Sequence, residues 1–347
     1  MALPKELLEY YKSFTQHGAG ENLVQLEPQE LALLVCIAFY DVNGVFPDSA
    51  DEPILRIARK PYYTIVEGDI ENLPSLTIEQ AVRYLEITDG LKVSEFSMYV
   101  RKLADLHRKR FKYRTILKNQ PFPTAEQIGP RSLLEFGNCD NRLLFNWMTW
   151  RKWSYDIDNR SAQETGYLFE PILVSCIGGE TISHSKSPVK RLDESGNQTS
   201  EGRQIDCFIQ HENESLAYEL KMRVTIAASG QGRFNEEMTF PVEAKKAGIV
   251  PVLVVFDPTE STLLSKLTNA YLANGGRVFI GENAWNHLKV EAGRLMGTFI
   301  AKYIEPPILG LENSGIELPY AVKLEATENS IIISDTSTSK YVIRRKK

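Results

Sequence analysis

The chain has 347 residues, 43% hydrophobic and 24% charged, with a formal net charge of −5; this suits one large or two ordinary globular domains. The acidic balance argues against a protein that coats nucleic acid non-specifically, while leaving room for one basic cleft. The absence of a long apolar run and of a signal-peptide core points to the cytoplasm, and Cys36, Cys139, Cys176 and Cys207 are too dispersed for a disulfide framework or a structural zinc.

Residues 1–125 read as a mainly helical region, suited to DNA recognition or dimerisation. Apolar residues recur at helical spacing over 5–14 and 29–40, each run following a proline, Pro4 or Pro28, that fits a first helical turn. Asp41-Val42-Asn43-Gly44 stops the second run. Residues 46–61 start as a loop and carry no clear period, and 77–88 return to a helical pattern after Leu73-Pro74-Ser75. Residues 101–118 are the most basic stretch, with eight Lys or Arg against Asp105. Arg108, Lys109 and Arg110 lie at its centre, and either a phosphate-contacting helix or a solvated helical face accounts for them.

Pro121, Pro123 and Gly129-Pro130 place a boundary near 125, ahead of a catalytic region at 126–305. Trp147, Trp150 and Trp153 repeat every third residue; such a stripe packs in a core, with stacking on bases as the alternative. A helix is expected from somewhere between Gln163 and Phe169 to Ile177, with Pro171 in its first turn or at a kink and Gly178-Gly179 as its stop. Residues 178–203 are polar and read as a loop with a short strand; its Lys190, Arg191 and Arg203 are phosphate-contact candidates or ordinary surface charges.

Residues 203–221 carry the chemistry. Two apolar-alternating runs flank His211-Glu212-Asn213-Glu214-Ser215, which predicts an antiparallel hairpin. Period two puts Ala217, Glu219 and Lys221 on one strand face, Tyr218, Leu220 and Met222 on the other, and Asp206 on the neighbouring strand. Two acids and a lysine are a minimal set for metal-assisted hydrolysis: the acids hold a hard divalent cation and the amine orients a water.

After the hairpin, Ser229-Gly230-Gln231-Gly232-Arg233 is loop-like, and its Gln231 and Arg233 are candidates for DNA contact, since an arginine pairs with guanine or clamps phosphate. A helix follows over 234–247 with Pro241 inside it; Glu236 and Glu237 read as acids on its surface, with help to a metal as the alternative. Residues 250–257 are a near-continuous apolar run, the pattern of a strand buried on both faces. A helix over 263–272, a Gly275-Gly276 stop, a strand over 277–281 and a helix over 293–303 complete the region. Residues 306–347 form a β-rich extension with a basic tail.

Asp206, twelve intervening residues and then Glu219-Leu220-Lys221 resemble the PD-(D/E)xK motif of restriction-endonuclease-like nucleases, although Ile205 stands where that family often has proline. The order of elements over 160–285 is similar to that family's αβββαβ core, so the resemblance implies an α/β fold with a mixed sheet flanked by helices. It further implies a prokaryotic, cytoplasmic type II restriction endonuclease that cuts double-stranded DNA with Mg²⁺, works as a homodimer, and uses Asp206 and Glu219 as metal ligands with Lys221 beside them. In that family a helix before the hairpin often adds a glutamate, a place matched by Glu170, with Glu164 as the second choice. The competing readings are a repair or recombination nuclease and a non-catalytic DNA-binding protein.

Overall fold

The computed structural model describes residues 4–15, 24–87, 93–132, 140–193, 195–221, 231–307, 323–334 and 340–345. By packing, the chain forms two units, one of Met1–Gly166 with Ser314–Lys347 and one of Tyr167–Asn313.

The first unit opens with α1 (Lys5–Thr15), α2 (Pro28–Asn43) and α3 (Glu52–Ala58), then α4 (Glu67–Glu71), α5 (Ile78–Leu85) and α6 (Val93–Asn119). Pro28 opens α2, the Glu30 carboxylate accepts from the backbone N–H of Glu27 at 2.7 Å, and Gly44, at φ 75°, closes it with an N–H donated to Tyr40 O. Glu30 through Phe39 are all buried, because α3, α5 and α6 pack around that part of α2. Residues 46–61, which carry no clear period, contain α3. The helix over 77–88 is the shorter α5, started by a Thr77 capping box. α7 (Ala125–Ser132) and α8 (Asn141–Cys176) follow.

α8 begins well before the start expected from the sequence and runs through Pro171. Gly178, at φ 72°, ends the helical stretch, donating its N–H to Ser175 O while Gly179 donates to Val174 O. The tryptophan stripe divides. Trp153 is 3% exposed and packs with Trp150, Phe122, Leu117, Ile331 and Ile343, whereas Trp147 is 61% exposed.

The second unit is built on a five-stranded sheet. Its strands are β1 (Glu180–Ile182), β4 (Ile205–Gln210), β5 (Ser215–Lys221), β6 (Val250–Val255) and β7 (Arg277–Ile280), in the order β1-β4-β5-β6-β7. β1/β4 and β4/β5 are antiparallel, while β5/β6 and β6/β7 are parallel. A small ribbon of β2 (Lys190–Leu192) and β3 (Gln198–Gly202) is also present, so the polar stretch 178–203 holds three strands. β6 is the core strand, with Val252 to Val255 wholly buried, as its apolar run predicts. The parallel crossovers are α9 (Gln231–Lys246) and α10 (Thr262–Ala273). They bury Phe240, Ala244, Leu264, Leu267 and Tyr271 against Ala217, Leu253 and Val255. α11 (Glu282–Glu291) and α12 (Gly293–Phe299) follow β7, and α12 continues through a π-helical turn at Ile300–Ile304. This is a mixed α/β sheet with flanking helices, preceded by a helical N-terminal region.

The C-terminal strands β8 (Lys323–Ala326), β9 (Ser330–Ser334) and β10 (Lys340–Arg344) form an antiparallel sheet of their own, in the order β10-β9-β8. They belong to the first unit. Ile331 and Ile343 pack with Leu117 and Trp153, and Arg345 donates to Gln120 O at 3.1 Å.

Candidate active site

The β4–β5 register pairs Cys207 with Tyr218 and Phe208 with Ala217. One step further, Asp206 and Glu219 stand side by side at the strand ends, on the face shared by Ala217 and Lys221. The backbone N–H of Leu220 donates to Asp206 Oδ2 at 3.1 Å, which fixes that carboxylate against β5. Lys221 Nζ donates to Glu219 Oε1 at 2.5 Å and to Glu237 Oε1, from α9, at 3.0 Å. The three side chains are only 18–20% exposed. Asp206, Glu219 and Lys221, two positions apart on β5 or on the neighbouring strand, therefore share one site.

The charges in this site act strongly on one another. Burial pushes the Asp206 carboxyl well above the usual carboxylate range, and the negative charges of Glu219 and Glu170 add to the effect against the opposing Leu220 N–H. Glu170, in the part of α8 that belongs to this unit, is half-buried; burial and then Glu219 push its carboxyl up. For Lys221, burial alone disfavours the ammonium, but Glu219 and Glu237 outweigh it and raise its pKa. Burial raises the Tyr271 hydroxyl too, and Glu219, Asp206 and Glu237 raise it further. The field in the site is negative.

Such a site suits a hard divalent cation. Its donors are carboxylate oxygens, and their mutual repulsion is what a cation relieves. Among those residues no three His, Cys, Asp or Glu side chains already converge on one point. Asp206 and Glu219 are the ligands that fit, with Glu170 adjacent. Glu164 lies in α8, but its side chain falls outside the described residues.

Glu237 is a site residue that sequence reasoning reads first as a surface acid, with help to a metal as the alternative. Only the packing of α9 over β5 and β6 brings it to Lys221. The helix pattern carries one usable signal, since Glu237 lies three residues before Phe240 and seven before Ala244, both of which are buried in the core.

The basic residues divide. Arg203 is corrected from a phosphate-contact candidate to an internal anchor: it is 7% exposed, its Nε lies 2.8 Å from Glu243 Oε2, it donates to Glu236 O, and it sits over the Phe240 ring. Arg191 is partly exposed and shared between Glu201 at 3.0 Å and Glu236 at 3.4 Å. Lys190 is partly exposed, with no carboxylate within ion-pair distance among the described residues. Gln231 and Arg233 form the first turn of α9 and not a loop; their side chains lie outside the described residues, as does the chain at 222–230.

Arg108, Lys109 and Arg110 belong to the first unit, where Arg108 and Arg110 have partners of their own. Arg108 is buried, pairing with Asp105 and donating to Phe14 O at 3.3 Å. Arg110 donates to Tyr62 O at 3.0 Å and to Ile65 O at 2.8 Å and lies over the Tyr62 ring. Lys109 is partly buried; burial pushes its ammonium down to about 7, reinforced by Lys102 and Arg108 against Asp105.

A helix, an antiparallel hairpin, a crossover helix and a buried parallel strand, with acids and a lysine at the hairpin's end, define the restriction-endonuclease-like class. Comparison with known proteins makes the assignment narrower. The model of the ApaLI-like restriction endonucleases matches residues 58–305. The type II restriction enzyme ApaLI of Acetobacter pasteurianus is 40% identical over 316 residues, covering 89% of this chain and 82% of that protein. The chain therefore belongs to the ApaLI-like restriction endonuclease family and is a type II restriction endonuclease. No solved structure matches it.

Proposed function

We propose that the chain hydrolyses phosphodiester bonds of double-stranded DNA at one specific short sequence, with Mg²⁺ held by Asp206 and Glu219, and that it acts as a cytoplasmic homodimer. The observation that carries this reading is the juxtaposition of Asp206, Glu219 and Lys221 at the open end of β4 and β5, inside the segment matched by the family. A Mg²⁺ bound there supplies neutralising charge and an acidified water. Asp206, fixed by the Leu220 N–H, and Glu219 hold that charge in place. Lys221 stays an ammonium and so donates hydrogen bonds, orienting the attacking water and offsetting the negative charge that develops on the phosphate. Glu170, from α8, lies within electrostatic reach of Glu219 and would assist the same site. Base reading falls to side chains outside the hairpin, because the groups that face a phosphate cannot choose a sequence; Gln231, Arg233, Lys190 and Arg191 are the candidates. A homodimer follows from the economy of cutting both strands of a palindrome with paired sites.

The test is digestion of a plasmid of known sequence with Mg²⁺ and with chelator, followed by mapping of the ends. Discrete, sequence-defined fragments are expected with Mg²⁺ only, and none from Asp206→Asn or Glu219→Gln. Structure-dependent nicking would favour a repair enzyme, and normal cutting by either variant would refute the metal assignment.

A further inference from the structure

We propose that Glu237 is a positioning residue, the carboxylate to which the Lys221 ammonium withdraws when Glu219 engages a divalent cation; this rests on the metal reading above. Lys221 Nζ bridges Glu219 Oε1 at 2.5 Å and Glu237 Oε1 at 3.0 Å. The Glu219 carboxylate that would help hold a cation is thus already hydrogen-bonded to an ammonium. Two positive charges on one carboxylate repel each other strongly, so the ammonium is driven away as the cation arrives. It cannot move far into bulk water, since its side chain is only 19% exposed.

Glu237 provides the destination. Its Oε1 already accepts from Lys221, and its Oε2 is buried without a hydrogen-bond partner among the described residues. An unsatisfied buried carboxylate oxygen is costly, and here it offers the second acceptor that an ammonium leaving Glu219 needs. The carboxylate is also held at a fixed place. One turn or two along α9, Phe240 and Ala244 are locked into the core and Glu243 is paired with Arg203. Glu237 therefore keeps the lysine beside the reacting phosphate while Glu219 turns to the metal.

The experiment measures Mn²⁺ affinity of the full-length protein by calorimetry, in the absence of DNA, for wild type, Asp206→Asn, Glu237→Gln, Lys221→Met and the Glu237→Gln/Lys221→Met double variant. Removing the second acceptor leaves the lysine competing for Glu219, so Glu237→Gln should weaken Mn²⁺ binding by about tenfold, in the range of other outer-sphere partners. In the Lys221→Met background the same change should have no effect. An unchanged affinity in Glu237→Gln overturns the proposal. An equal loss with and without Lys221 overturns it too, because Glu237 would then be a metal ligand. Wild type that binds no Mn²⁺ refutes the metal reading itself, whereas loss of binding in Asp206→Asn with none in Glu237→Gln refutes only the role of Glu237. Should the amide variant not fold, Glu237→Asp, which keeps the charge one methylene further away, should lose affinity in the same lysine-dependent way.

Discussion

Lys221 and Arg203 are both enclosed cations, yet different consequences follow from removing them. Lys221→Met should lower the cleavage rate by about 10²–10³-fold while leaving DNA affinity intact, which single-turnover cutting and Ca²⁺-supported binding would separate. Arg203→Met should act on stability. It leaves Glu243, only 4% exposed, without its guanidinium, a loss of about 3–5 kcal/mol that a denaturant titration would register; a wild-type midpoint would disprove the anchoring role. His107 gives a pH-dependent case. Burial lowers its pKa from 6.5 against the opposing pull of Glu30, so below pH 6.5 the unfolded chain binds the extra proton first and stability falls as the pH drops through that value. His107→Gln should lack this loss, so its thermal midpoint relative to wild type should rise between pH 7.5 and pH 5.5. At this scale the sequence reveals which side chains share a strand face, because period two is a local rule. It does not reveal which charges are internal: Arg108, Arg110 and Arg203 look like any other surface cation until tertiary partners enclose them.

β6 is the element on which the site's geometry depends most directly. In the parallel register Leu253 stands opposite Glu219 and Val255 opposite Lys221, and both apolar side chains belong to the cluster under α9 and α10. Leu253→Ala should cost about 2–5 kcal/mol through the cavity it leaves, and it should weaken metal binding as well, since β5 loses the support that aligns Glu219. A stability loss with unaltered Mn²⁺ affinity would show that the ladder alone fixes the strand. The hairpin, β6, α10 and β7 are legible because their apolar periods are strong. β1, β2 and β3 are not. They are three to five residues long, and their residues, all but Gly202 exposed or half-exposed, show no alternation, so pairing partners decide them. The length of α8 escapes a local reading for a similar reason: Pro171 signals a boundary, and the helix absorbs it.

For the molecule as a whole, the informative feature is that the described C-terminal strands, within residues 323–334 and 340–345, belong to the unit of residues 1–166 and not to that of residues 167–313. No local pattern encodes this return; Ile331 and Ile343 are apolar at strand spacing and could face any core. A truncation ending at residue 322 should therefore uncover Leu117 and Trp153, shifting tryptophan emission to the red and lowering the thermal midpoint of the first unit. An unchanged spectrum would count against that closure. The same return sets an order of events during translation. At about 5–20 residues per second, a ribosome finishes the segment 167–313, with Asp206, Glu219 and Lys221, before β8, β9 and β10 exist. A nascent chain thus has the proposed cutting residues synthesised while the earlier half still waits for β8, β9 and β10.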